Sequence, residues 1–240
     1  VDPLADKYYT FSNFSYVANN PLKYVDPNGK EIRLSSYVRD DGTTVVQMNV
    51  TGKLINQSST DYSGFDMANY ASRLGNAIKD YYSVKEKGFE VEVSVDIKGV
   101  TYGDSFLQPL REGDHGFYIR DDGYLPDPDK NNRFMRRGVL GVAGFGRKSI
   151  YLSKDILEGK AAKQGKNKKT GLTENGEATL ERTGAHELGH SAGNKHPEPD
   201  EMPDNLMHQS GRPYSGTKIT RQQMMDMLTR FENGELNKDR

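Results

Sequence analysis

The sequence predicts an α+β fold, and three observations carry that expectation. Phe89, Val91, Val93, Val95 and Ile97 alternate with Glu90, Glu92, Ser94 and Asp96, which is the period of a half-buried strand. Met67, Tyr70, Ala71, Leu74, Ala77, Ile78 and Tyr81 instead recur at the spacing of one helical face. Further along, several strand candidates precede a second helix around residues 186–190 and a final helix at 221–231.

Residues 1–30 are dense in Tyr, Phe, Asn and Pro, show neither period, and end in the turn Asp26-Pro27-Asn28-Gly29. From Glu31 a strand begins, with Ile32, Leu34 and Ser36 on alternate positions, and Asp41-Gly42 offers a hairpin turn into a second strand over 43–54. Residues 66–82 form the first helix and 89–97 the next strand. A short strand at 115–120 stops at Asp122-Gly123, and the Pro-, Asp- and Asn-rich 124–133 predicts an irregular loop. Residues 138–145 and 148–152 read as a hairpin around Gly146-Arg147. Residues 158–169 hold five Lys against one Glu, with several Gly, and read either as a mobile loop or as a basic patch. Asn175 is the expected N-cap of the second helix, with Glu177 and Glu181 in its early turns. Thr220 and Gln223 have capping-box spacing for the last helix, whose Met224, Met225 and Leu228 should pack inward.

Composition narrows the function classes. The 240 residues suffice for one sizeable core, but only 34% are hydrophobic and mean hydropathy is −0.83, so the chain reads as soluble, globular and loop-rich. The 33 basic and 34 acidic residues balance, which predicts no overall field to attract nucleic acid. The longest apolar run, near 139–145, is far too short to span a bilayer, so no membrane insertion is expected. No charged-then-apolar leader opens the chain, so no signal peptide is expected in this fragment, and "VDPLADKYY" reads as the interior of a longer protein. With no Cys, any metal must be held by His, carboxylates or water.

The stretch "HELGHSAGNKH", residues 186–196, outweighs the rest. His186 and His190 lie four residues apart on a helix, so both imidazoles project from one face and can reach one Zn²⁺. Glu187, one position along, falls beside such an ion, where it can take a proton from a water that zinc has acidified. At Gly193 a positive φ would end the helix, and His196 would then return as third ligand. In a chain of this composition HExxH arises by chance roughly 0.006 times, and the longer pattern about once in 10⁵. Closed structural zinc sites usually carry four protein ligands, so three favour a single catalytic ion over a structural one. His115 and His208 read as surface or hydrogen-bonding residues, and the acidic loop at 196–205 as solvated, without the EF-hand spacing that would support Ca²⁺.

His186, Glu187, His190, Gly193 and His196 fit HExxHxxGxxH without a gap, so the chain resembles the metzincin zinc peptidases. That resemblance implies a twisted mixed sheet with an antiparallel edge strand over the cleft, an active-site helix, a Met-turn and a C-terminal helix. It implies endopeptidase activity on a protein or peptide substrate, with Glu187 as the catalytic base. In "NLMHQ" it makes Met207, eleven residues after His196, the Met-turn floor beneath the imidazoles. Some members carry a Tyr two residues after that Met; Gln209 stands there, leaving Tyr214 as an auxiliary candidate. Residues 138–145 would be the edge strand that pairs with substrate, its backbone opened by Gly141 and Gly144, or else half of a plain buried hairpin.

Residues 1–30 carry a second resemblance. "DPLADKYY" and "NNPLKYVDPNG" are similar to the end of the RHS-repeat-associated core that precedes toxin domains in bacterial polymorphic toxins. It implies that 1–30 ends the core and 31–240 is the toxin domain, with the RHS shell and a cognate immunity protein as partners. Such a protein would be secreted or delivered into a target cell. Some relatives release the tip just after DPxG, but Lys30 stands where the cleaved ones usually have an apolar residue. A Pro- and Asn-rich linker is the alternative for this segment. Two functional readings remain open: a zinc endopeptidase toxin, and a zinc-stabilised module that binds a target or immunity protein without cutting it.

Overall fold

The computed structural model describes residues 32–110, 114–128, 130, 133–135, 137–157, 163–166, 173–176, 179–198, 204–208 and 216–238. The expected boundary near residue 30 and the whole of 1–30 lie outside them.

The first two strands, β1 (Arg33–Val38) and β2 (Thr44–Asn56), pair antiparallel. Gly42 in the turn between them has φ +81°, a conformation that L side chains rarely adopt. Helix α1 (Gly64–Tyr82) starts two residues earlier than hydrophobic spacing implied, because Ser63 and Asp66 close a capping box. The Ser63 Oγ accepts the Asp66 N–H at 3.1 Å, and the Asp66 carboxylate accepts the Ser63 N–H at 3.1 Å. Met67, Ala71, Leu74, Ile78 and Tyr82 form its buried stripe. The short β3 (Lys85–Glu86) then turns back into β4 (Phe89–Val100), which runs parallel to β2.

The chain next forms β5 (His115–Arg120), β6 (Gly141–Ala143) and β7 (Ser149–Ser153). The main sheet has the order β3-β4-β2-β5-β7-β6 and is mixed. β5 is parallel to β2 and to β7, whereas β6 lies antiparallel to β7 at the edge. β4 takes one side of β2, so β1 and β5 share the other, at residues 44–49 and 52–56 of β2 respectively.

Two expectations for the segment before the second helix are corrected. Lys163–Lys166 is β8 and pairs antiparallel with β9 (Thr173–Gly176), so part of the expected loop is a strand. Asn175 sits opposite Gln164 in that ladder and is not the N-cap. Helix α2 (Leu180–Ser191) begins instead at Thr179, whose Oγ1 accepts the Arg182 N–H at 3.2 Å. The last helix, α3 (Arg221–Glu232), has the expected capping box of Thr220 and Gln223. Met224 and Leu228 are buried as expected, but the third buried position is Met227, while Met225 is only partly covered.

α2 packs on α1, β6 and β7, and α1 packs on β4. The two helices approach closely because α2 carries Gly184: a Cβ there would lie 2.4 Å from Leu74 Cδ1 of α1. The Tyr82 hydroxyl donates across the same interface to the Ala185 carbonyl at 2.9 Å. Truncating Leu74, fully buried in this contact, removes packing worth about 2–5 kcal/mol. Among the described residues no helix is long and apolar enough to cross a membrane.

Candidate metal centre

α2 places His186 and His190 one turn apart, and their outer nitrogens are both committed to backbone carbonyls. His186 Nδ1 lies 2.8 Å from the Leu206 oxygen, and His190 Nδ1 lies 2.8 Å from the Asn194 oxygen. A carbonyl can only accept, so each Nδ1 carries the proton and each Nε2 presents a lone pair. The helix stops at Ala192, and Gly193 follows with φ +87°. Gly193 N–H donates to the His190 carbonyl at 2.8 Å and Asn194 N–H to that of Gly189 at 2.9 Å, closing the helix end.

This reversal returns His196 to the helix face. Its Nε2 lies 3.2 Å from that of His186 and 3.0 Å from that of His190. The Nε2 atoms of His186 and His190 carry no proton, and an Nε2–H on His196 can point at only one of them, so at least one approach puts lone pairs together unless a cation lies between them. Two nitrogens at about 2.0–2.1 Å from a tetrahedral zinc stand about 3.3–3.4 Å apart, a few tenths wider than found here. The donor set therefore fits a metal ion. Burial holds His186 well below its ordinary pKa, with His190 adding to the effect, and lowers His190 to about 4, so both are neutral and available as ligands. His186 is buried and His196 exposed, which leaves the cluster open on one side.

Glu187 lies against β6. The residue is only 7% exposed, and burial pushes its pKa up to about 8, against the opposing pull of the Ala143 N–H and of Arg182. A divalent ion nearby would bring that value down again. Gly141 of β6 is in contact with the same carboxylate arm. A Cβ there would lie 2.7 Å from Glu187 Cγ and 2.8 Å from Thr183 Cγ2. His186, Glu187, His190, His196, Phe145 and the β6 backbone line a cleft of about 970 Å³.

Met207 is fully buried against the helix, where a Cβ on Gly189 would lie 2.3 Å from its Sδ. The preceding residue, Leu206, supplies the carbonyl that orients His186. Sequence reasoning missed what fixes this turn. Arg182 donates to the carbonyls of Leu206 at 3.0 Å, His208 at 2.6 Å and Gly216 at 3.1 Å. Its place four residues before His186, on the same helix face, was the available signal. Asn205 adds a second tie, accepting the Met207 N–H at 2.8 Å and donating to Gln223 at 2.8 Å.

The other histidines stay out of the cluster. Both are buried, and His115 Nε2 lies 3.0 Å from the Ser191 hydroxyl. Tyr214, Gln209 and residues 199–203 of the acidic loop lie outside the described residues.

Comparison with protein-family models gives no match, and neither does comparison with curated proteins. Among solved structures the chain is similar to archaemetzincin from Methanopyrus kandleri, at 18% identity and a TM-score of 0.39, covering 76% of this chain and 96% of that one. A likeness at that level assigns no function to this chain.

Proposed function

We propose that this chain is a zinc-dependent endopeptidase domain. The observation that carries the reading is the meeting of three Nε2 atoms, two with their Nδ1 protons tied to carbonyls, beside the buried carboxylate of Glu187. His186, His190 and His196 would hold the ion. Bound there, zinc supplies Lewis acidity, polarising a carbonyl and making a water easier to deprotonate.

The chain's own groups do the rest. Glu187 takes the proton of the attacking water as its oxygen bonds to the scissile carbonyl carbon. The C–N bond then breaks, and Glu187 passes the proton to the departing amine. The Ala143 N–H fixes the carboxylate for both transfers. β6 is an edge strand, so the backbone of Gly141, on the side away from β7, is available to pair with an extended peptide. Met207 acts as a floor that holds the Leu206 carbonyl in place under His186.

The resemblance of residues 1–30 to an RHS-associated core supplies the setting. On that reading this is the toxin domain of a larger bacterial protein, delivered into a target cell and neutralised by an immunity protein. The test is Glu187→Ala. It should keep the fold and one equivalent of zinc while lowering peptide hydrolysis about 10²–10⁴-fold. Undiminished turnover in that variant would sink the mechanism.

A further inference from the structure

A second concavity lies on the other side of β6. Gly141 and Ala143 face α2, as their cross-strand partners Leu152 and Ile150 face the core. Val142 and its partner Tyr151 face the opposite way. On that face the rings of Tyr118 and Tyr151 stack at 5.3 Å, and the Arg120 guanidinium lies 5.9 Å from the Tyr151 centroid. A pocket of about 590 Å³ opens there, lined among the described residues by Arg120, Lys130, Arg133, Arg147 and Lys238 against one acid, Asp127. Among the described residues none of these five cations is ion-paired. Arg120 Nε is buried without a hydrogen-bond partner. The pocket and the metal cleft meet across the edge strand, sharing Asp127, Pro128, Lys130, Val142 and Ala143.

Successive side chains of an extended peptide point to opposite faces. A peptide paired along β6 therefore sends one set toward the metal cleft and the alternate set toward the cationic pocket. We propose that this pocket is a substrate subsite for an anionic side chain, set one residue out of phase with those that face the histidines. The proposal rests on the peptidase reading above for its substrate class. Five like charges around one small volume hold a positive potential that an anion relieves, and the arginine forks suit the paired oxygens of a carboxylate or a phosphoryl group.

The experiment measures binding separately from hydrolysis. Zinc-loaded Glu187→Ala protein is titrated with fluorescent peptides in which Glu, Gln or phosphoserine is moved through each position. Glu or phosphoserine should bind about tenfold more tightly than Gln at positions two residues apart, and the tighter of the two identifies the source of the anion. Adding Arg120→Gln and Arg147→Gln should bring that ratio close to one. If that variant does not fold, Lys238→Gln, at an exposed position, should lower the ratio about threefold. Equal affinity for all three peptides, a preference without alternation, or no peptide binding at all overturns the proposal. Wild-type turnover of the same peptides separates the two ideas. Hydrolysis without acidic preference removes the pocket alone, and preference without hydrolysis removes the peptidase reading alone.

Discussion

Gly141 and Glu187 are in contact across the junction of β6 and α2, with no room between them for even one methyl group. The edge strand thus lies directly on the side chain that the proposed mechanism uses. Gly141→Val should push β6 off the helix. Overpacking of this kind costs about 1–3 kcal/mol. Peptide hydrolysis should fall at least about tenfold, because the Ala143 N–H moves with the strand. Urea unfolding beside steady-state kinetics checks both, and an unchanged kcat/KM would count against the contact as described.

Metal binding should stabilise the fold. An ion that binds only the native chain adds about 4 kcal/mol at a thousandfold excess over Kd. Chelation should lower Tm, and zinc should restore it. His190→Ala should show neither shift and should hold no zinc in elemental analysis.

Arg182 should matter to both stability and metal affinity through the carbonyls it holds. Arg182→Met leaves the carbonyls of Leu206, His208 and Gly216 without this donor. Several kilocalories should be lost, at about 1–3 kcal/mol for each carbonyl left unsatisfied. With the Leu206 carbonyl no longer fixed, zinc affinity should fall about 10–100-fold. Competition with a chromophoric chelator measures it.

His115 gives a pH dependence with a definite sign. Burial, helped by the Lys148 charge, lowers its pKa to about 3 in the folded chain, against about 6.5 when unfolded. Between those values the unfolded chain binds the proton and the folded chain does not, so stability falls as pH drops from about 6.5 toward 3. From pH 7.5 to 5 the loss should be about 2 kcal/mol. His115→Gln should flatten the curve by that amount, read as the difference from wild type in urea midpoints at the two pH values.

What the sequence made legible was chemistry with a strict period. Two imidazoles four residues apart can only share a helix face, and Gly193 then has to turn the chain; both follow from backbone geometry. Thr220 with Gln223 marked α3 for the same reason. β8 and β9 left no comparable mark, since Lys163–Lys166 and Thr173–Gly176 show no apolar alternation and, among the described residues, each pairs with the other alone. Their pairing also drew Asn175 into a ladder and left capping to Thr179. Arg182 was passed over because a lone cation on a helix usually faces solvent; only the tertiary arrangement brings three carbonyls to it. Strand order was likewise illegible, as β2 takes β1 and β5 along one side through contacts distant in sequence.

The three imidazoles are anchored unequally. His186 and His190 belong to a helix packed in the core, whereas His196 lies exposed beyond the Gly193 reversal. If these residues hold an ion, its loss would have a preferred order, with His196, the ligand outside the helix, the first to leave. The off-rate would then depend on the short tether between Gly193 and His196, and stiffening or loosening that tether would tune exchange while the helix stays unchanged.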